Sequence, residues 1–169
     1  VPEVEEPVFE EPVVEPEPVV APEPGNFYVG LGAVSELNDR VPVRFVVGMD
    51  DLIWGFGLRA TVDYGRQSPI DAGTVAFAGH LTYAFDLGAN LGAYVGAGGG
   101  YQLDLMDAPQ ATDSAFAGGL IGVEYGFTPS IALFVEGMVD YYFTEPVTNP
   151  DYQYDQIYPT ISLGGKFRF

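Results

Sequence analysis

From Asn26 onward, apolar and polar side chains alternate with a period of two, in short runs separated by polar joints. The last nine residues, Ile161-Ser-Leu-Gly-Gly-Lys-Phe-Arg-Phe169, carry the pattern clearly. Ile161, Leu163, Phe167 and Phe169 fall on one face, and Ser162, Lys166 and Arg168 on the other. A run of this kind is a β-strand with two unlike faces. The same period predicts eight strands, over 26–35, 41–49, 54–64, 73–85, 91–103, 114–127, 131–143 and 156–169. The joints alternate in length. Asp50–Ile53, Asp86–Asn90 and Thr128–Ser130 are tight turns rich in Asp, Gly, Asn and Pro, whereas 36–40, 65–72, 104–113 and 144–155 are mostly longer and polar. Short turns at one end and longer loops at the other predict an up-and-down barrel, and an even strand count brings both termini to the short-turn end.

The composition of the two faces decides which of them meets the solvent. Strand 3 puts Trp54, Phe56, Leu58, Ala60, Val62 and Tyr64 on one side, with Gly55, Gly57, Arg59, Thr61 and Asp63 on the other. Strand 5 separates Leu91, Val95 and Tyr101 from Gly92, Tyr94, Gly96, Gly98 and Gly100. Strand 7 separates Ile131, Leu133, Val135 and Val139 from Phe134, Glu136, Met138 and Asp140. A water-soluble barrel turns its apolar face inward, and a membrane barrel turns it outward. Here the less apolar face is mostly Gly, Ala, Ser and Thr with isolated charges. That suits a crowded eight-stranded lumen better than a solvated surface. Aromatic residues also gather near the strand ends, with Phe27, Trp54, Tyr83, Phe85, Tyr125, Phe127, Phe167 and Phe169 at one end and Tyr64, Tyr101 and Tyr141 at the other. Two such girdles mark the two interfaces of a bilayer. The expected fold is therefore all-β: an eight-stranded antiparallel up-and-down transmembrane β-barrel over 26–169, surrounded by lipid.

With the apolar face outward, Arg44, Arg59, Lys166 and Arg168 point into the lumen, opposite Asp63, Glu124, Glu136 and Asp140, and His80 points in beside them. Four of the chain's six basic residues thus share the inner face. Near-balance of sign is what burial demands, because an unpaired buried charge is costly. The expected arrangement is a salt-bridged plug. The alternative is a narrow, gated or ion-selective path, porin-like in function. A catalytic role for His80 would need a Ser or acid partner. Its mid-strand neighbours Ala76, Ala78, Thr82 and Ala84 favour a hydrogen-bonded interior histidine instead. Gly96–Gly100 lacks the Lys-Ser/Thr and the strand-to-helix setting of a phosphate loop. No catalytic or cofactor-binding residues follow from the pattern.

Charge and composition narrow the picture further. With 24 acidic and 6 basic residues the formal charge is −18, which repels nucleic acid. No cysteine and a single histidine exclude disulfides and zinc sites built from Cys and His. The longer loops hold nine acids (Glu36, Asp39, Asp71, Asp104, Asp107, Asp113, Glu145, Asp151, Asp155). These read as solvated carboxylates. A Ca²⁺ role lacks EF-hand spacing, so no metal ligands are assigned. Residues 1–25 differ in texture: the first 24 contain eight Glu and seven Pro, interleaved with Val. Proline removes backbone donors and the glutamates repel one another, so this segment is expected to be an extended, disordered linker with a reach of roughly 70 Å. Val1, with no charged-then-apolar leader ahead of it, reads as a mature or trimmed N-terminus.

Strand count, turn-and-loop alternation, the charged lumen and the ending Lys166-Phe-Arg-Phe169 together resemble the small eight-stranded outer-membrane barrels, the OmpA-like and OmpX-like family. The resemblance covers 26–169. It implies a bacterial outer-membrane location, with the tail in the periplasm. It also implies that the terminal aromatics Phe167 and Phe169 act as the signal read by the barrel-insertion machinery. Function is implied only coarsely: a non-enzymatic structural anchor or accessory subunit of a cell-envelope complex. Its tail or loops would meet cell-wall, surface-layer or other envelope proteins. In OmpA-like proteins the peptidoglycan-binding domain follows the barrel. Here the tail precedes it, which points the N-terminal side toward the cell wall.

Overall fold

A computed structural model describes residues 25–36, 42–67, 72–105, 113–143 and 156–169. The Pro/Glu-rich tail and most of the four longer loops, with the acids Asp39, Asp71, Asp107, Glu145, Asp151 and Asp155, lie outside the described residues. Eight strands form one closed barrel, each hydrogen-bonded to its neighbours in chain order, with β8 closing on β1. They are β1 (Phe27–Glu36), β2 (Val43–Ile53), β3 (Phe56–Gln67), β4 (Ala72–Gly88), β5 (Leu91–Asp104), β6 (Ser114–Gly126), β7 (Ile131–Tyr142) and β8 (Ile157–Arg168). All pairings are antiparallel, so no described strand leaves an open edge.

The apolar face points outward. Leu31, Leu58, Leu81, Ile121, Val139 and Leu163 are each more than half exposed, while Arg44, Arg59, Glu136 and Lys166 are buried inside. Water would punish such a surface, and lipid favours it, so the barrel is built to span a membrane. Ring contacts join the aromatics at the short-turn end. Phe27 meets Phe169 at 5.8 Å, Phe56 meets Tyr83 at 5.0 Å, and Tyr83 meets Phe85 at 4.9 Å. At the other end Tyr141 contacts Phe143.

Two of the short turns are tighter than the pattern-based reading makes them, because β2 runs on to Ile53 and β4 to Gly88. Asp50–Ile53 is not a turn. β2 continues through it with a register shift between Met49 and Ile53 and a left-handed Asp51. The reversal falls on Trp54 and Gly55, both at positive φ, between the paired residues Ile53 and Phe56. Trp54 therefore caps the hairpin instead of opening β3, and it is 88% exposed. The bulge takes up the extra residues, and the two-residue turn matches the strand twist. Ala89 and Asn90 make a second turn of the same kind between Gly88 and Leu91.

The lumen is not lined only by small and polar residues. Tyr28, Tyr94, Phe116 and Phe134 also point in and are buried. Each lies against a glycine directly across the ladder: Gly48, Gly122, Gly100 and Gly164 respectively. A Cβ on Gly48 would stand 2.4 Å from the Tyr28 ring, and one on Gly122 would stand 2.3 Å from the Tyr94 ring. The inward glycines thus make room for rings in an interior too narrow to hold two large side chains abreast.

Candidate functional site

The inward charges sort into two clusters. In the first, Arg44 on β2 faces its cross-strand partner Asp63 on β3. Its Nε and one terminal nitrogen donate to the two Asp63 oxygens, each at 2.7 Å. This is the bidentate fork that a guanidinium makes with a carboxylate. The other terminal nitrogen donates to Glu136 Oε1 at 2.9 Å. Arg59 reaches the same carboxylate, at 3.0 Å to Oε1 and 2.5 Å to Oε2. β3 and β7 are four strands apart in an eight-stranded ring, so the Arg59–Glu136 contact bridges opposite walls. Ser162, the ladder partner of Glu136, donates to Oε1 at 3.4 Å. Glu136 is 1% exposed, so this clamp is dry.

The second cluster lies toward the short-turn end. Lys166 and Arg168, two residues apart and so on one face of β8, both pair with Glu124. Both also approach Asp50 Oδ2, at 3.7 and 3.5 Å. Lys166 Nζ sits 4.5 Å from the Tyr28 ring centre, and the Arg59 guanidinium 5.7 Å from that of Tyr94. The two tyrosines therefore form a cation–π layer between the clusters.

Two expected members stand apart. Asp140 faces inward and is buried, but its Oδ1 has no hydrogen-bond partner among the described residues, and it joins no ion pair there. The anion that completes the second cluster is Asp50, which the alternation pattern places in a turn. β2 runs on past Met49, and Asp50 keeps the inward parity of Arg44, Val46 and Gly48; the irregularity begins only at Asp51. His80 is 2% exposed, and neither ring nitrogen has a hydrogen-bond partner among the described residues. The expectation of a hydrogen-bonded histidine is corrected here. Its ladder partners are Arg59, which only donates, and Gly98, which has no side chain.

Two cavities flank the clamp. A cavity of about 750 Å³ occupies the short-turn half, lined by Tyr28, Tyr94, Arg59, Glu124, Lys166 and Arg168 among others. A second, of about 40 Å³, lies in the long-loop half against Arg44, Asp63, Asp140 and Thr160. Glu136 borders neither cavity. Asp50 escapes the sequence reading because that reading ends the strand at Met49; carried one residue further, the parity of Arg44, Val46 and Gly48 places it inward. Tyr28 is legible as an inward position by parity alone. Phe167 and Phe169 face outward, 44% and 57% exposed, and the Phe169 amide donates to the Phe27 carbonyl at 3.0 Å.

No protein-family model matches the chain, and no curated protein matches it. Solved structures do. Neisserial surface protein A superposes with a TM-score of 0.60 at 22% identity, over 86% of this chain and 98% of that one. A major outer membrane protein from Thermus thermophilus gives 0.56 at 15% identity, over 85% and 98%. The attachment invasion locus protein of Yersinia pestis gives 0.52 at 11% identity, over 86% and 99%. The fold is that of the small eight-stranded outer-membrane barrels.

Proposed function

We propose that this chain is a closed, non-enzymatic barrel of the bacterial outer membrane. It acts as an anchor or accessory subunit of a cell-envelope complex, with the tail of residues 1–25 reaching periplasmic partners. The observation that carries this reading is Glu136, fully buried and held from across the lumen by Arg44 and Arg59. A gate would need a group free to move or to exchange with water. A carboxylate with two guanidinium partners reaching it from the adjacent strands β2 and β3 across the lumen is held in place. The tail joins β1 at the rim of the short-turn end, so it and the terminal Phe167–Phe169 strand share one side of the membrane. That placement favours insertion from the periplasmic side and contact with the cell wall. A catalytic reading has little support, because nothing among the described residues orients the His80 ring.

The alternative, a narrow or gated pore, draws on the 750 Å³ cavity, which already leaves the short-turn half of the lumen open. Single-channel recording of the refolded protein in a planar bilayer, with and without residues 1–24, separates the two. The anchor reading expects no openings above background in either form. Reproducible openings of the unaltered chain would overturn it in favour of the pore.

A further inference from the structure

Four lumen cations, Arg44, Arg59, Lys166 and Arg168, face five anions, Asp50, Asp63, Glu124, Glu136 and Asp140. Among the described residues, ion pairs join every one of these except Asp140. That carboxylate is 6% exposed, and its Oδ1 is buried without a hydrogen-bond partner among the described residues. On the adjoining strand β8, the buried Thr160 Oγ1 is also unpartnered there. Asp140 pairs with Tyr158 and Met138 with Thr160, so Asp140 and Thr160 are diagonal neighbours on one face. Such positions lie about 7–8 Å apart at the backbone, a span that one ion and its coordinating oxygens can bridge. Both residues line the 40 Å³ cavity of the long-loop half, which has room for an ion with one or two waters.

We propose that the long-loop half of the lumen holds one monovalent alkali cation, bound by the Asp140 carboxylate and the Thr160 hydroxyl. A lone carboxylate in dry apolar packing would take up a proton instead. This one opens on a cavity lined also by Thr61, Asp63 and Gln102; the Asp63 oxygens accept from Arg44 and Gln102 Oε1 from Tyr142, and an acceptor oxygen keeps a second lone pair that an ion can use. Arg44 lines the same cavity, but its nitrogens are already engaged with Asp63 and Glu136. The strands β4, β5 and β6 present no described charge to the cavity, only residues such as Thr74, Gln102 and Phe116. One uncompensated negative charge matches a single positive one. Calcium would ask for six to eight oxygens, commonly with several carboxylates. No group of three acidic or imidazole side chains converges on one point among the described residues. The site stands on the charge balance of the lumen, and it goes beyond the question of whether the barrel conducts.

The test is thermal unfolding of the full refolded chain in detergent, in sodium, potassium or choline chloride at equal ionic strength and neutral pH. The expected result is a midpoint higher by roughly 2–6 °C in sodium or potassium than in choline, rising and saturating with cation concentration. Asp140→Asn should abolish the difference. Thr160→Val should shift the saturation several-fold to higher cation. Equal midpoints of the unaltered chain in sodium and choline would overturn the proposal. So would an Asp140→Asn barrel that keeps the cation effect. An Asp140→Asn barrel more stable than its parent in every salt, with no cation effect in either, would assign a proton to Asp140 instead. If Asp140→Asn does not refold, the comparison of salts on the unaltered chain and the Thr160→Val shift still decide the outcome.

Discussion

At the scale of single residues, Glu136 carries the most consequence. Its carboxylate is the shared acceptor of Arg44 and Arg59, closed off from solvent. Removing it leaves two guanidinium groups facing each other in a low-dielectric layer. Glu136→Ala should therefore cost about 3–5 kcal/mol, measured as the shift in urea unfolding of the refolded barrel. Arg168→Ala should cost roughly 1 kcal/mol, because its partner Glu124 keeps Lys166 and the site borders an open cavity. Equal losses in the two variants would mean that the clamp is no drier than the vestibule. The glycine–ring pairs allow a second check. Gly48→Ala drives a Cβ into the Tyr28 ring and should cost about 1–3 kcal/mol. Adding Tyr28→Leu should recover part of that loss, with a coupling of roughly 0.5–3 kcal/mol in a double-mutant cycle. Strict additivity would show that the ring and the glycine do not share one space.

At the scale of elements, period-two alternation locates every strand, because a barrel in lipid keeps strict parity along each one. Phe134, Glu136, Met138 and Asp140 all face in on β7, as their spacing requires. What alternation cannot carry is a bulge. β2 runs on past Met49, so Asp50 joins the lumen charges on the parity of Arg44, Val46 and Gly48, while the bulge beyond it lets Trp54 slip from the strand into the turn. The pairing of Arg44 with Asp63 is implicit in the hairpin register. The reach of Arg59 to Glu136 is not, since it depends on how far the strands tilt around the closed ring. Trp54 holds a left-handed backbone that a bulky side chain disfavours, and its ring is exposed at the short-turn rim. Two opposed effects meet there. Trp54→Asn should relax the turn, and so speed hairpin formation or raise stability slightly in detergent. In a bilayer it should lose the interfacial anchor that an indole provides. The expected outcome is a sign difference: unfolding midpoint unchanged or raised in micelles, lowered in liposomes. A loss of the same size in both would assign Trp54 to packing within the hairpin.

At the scale of the whole molecule, the lumen is layered along its axis: an open, mixed-charge vestibule, a cation–π layer of Tyr28 and Tyr94, the dry Arg44–Glu136–Arg59 clamp, and a small acidic cavity beyond it. On the proposed reading of a closed barrel, closure belongs to the clamp, because Arg59 on β3 reaches Glu136 on β7 from wall to wall. The vestibule charges can be removed without touching that constriction, and Glu136 cannot. Glu136→Ala should therefore produce openings in a planar bilayer where the unaltered chain and Arg168→Ala give none. The sign of the current is also set by what remains. Without Glu136, the narrowest layer presents Arg44 and Arg59 with only Asp63 to offset them, so its field is positive and anions should pass preferentially. A reversal potential in a salt gradient reads this directly. It should lie toward the chloride equilibrium potential for Glu136→Ala. A cation-selective Glu136→Ala barrel would move the constriction to the acidic cavity around Asp63 and Asp140, and a silent one would mean that the aromatic layer closes the lumen by itself.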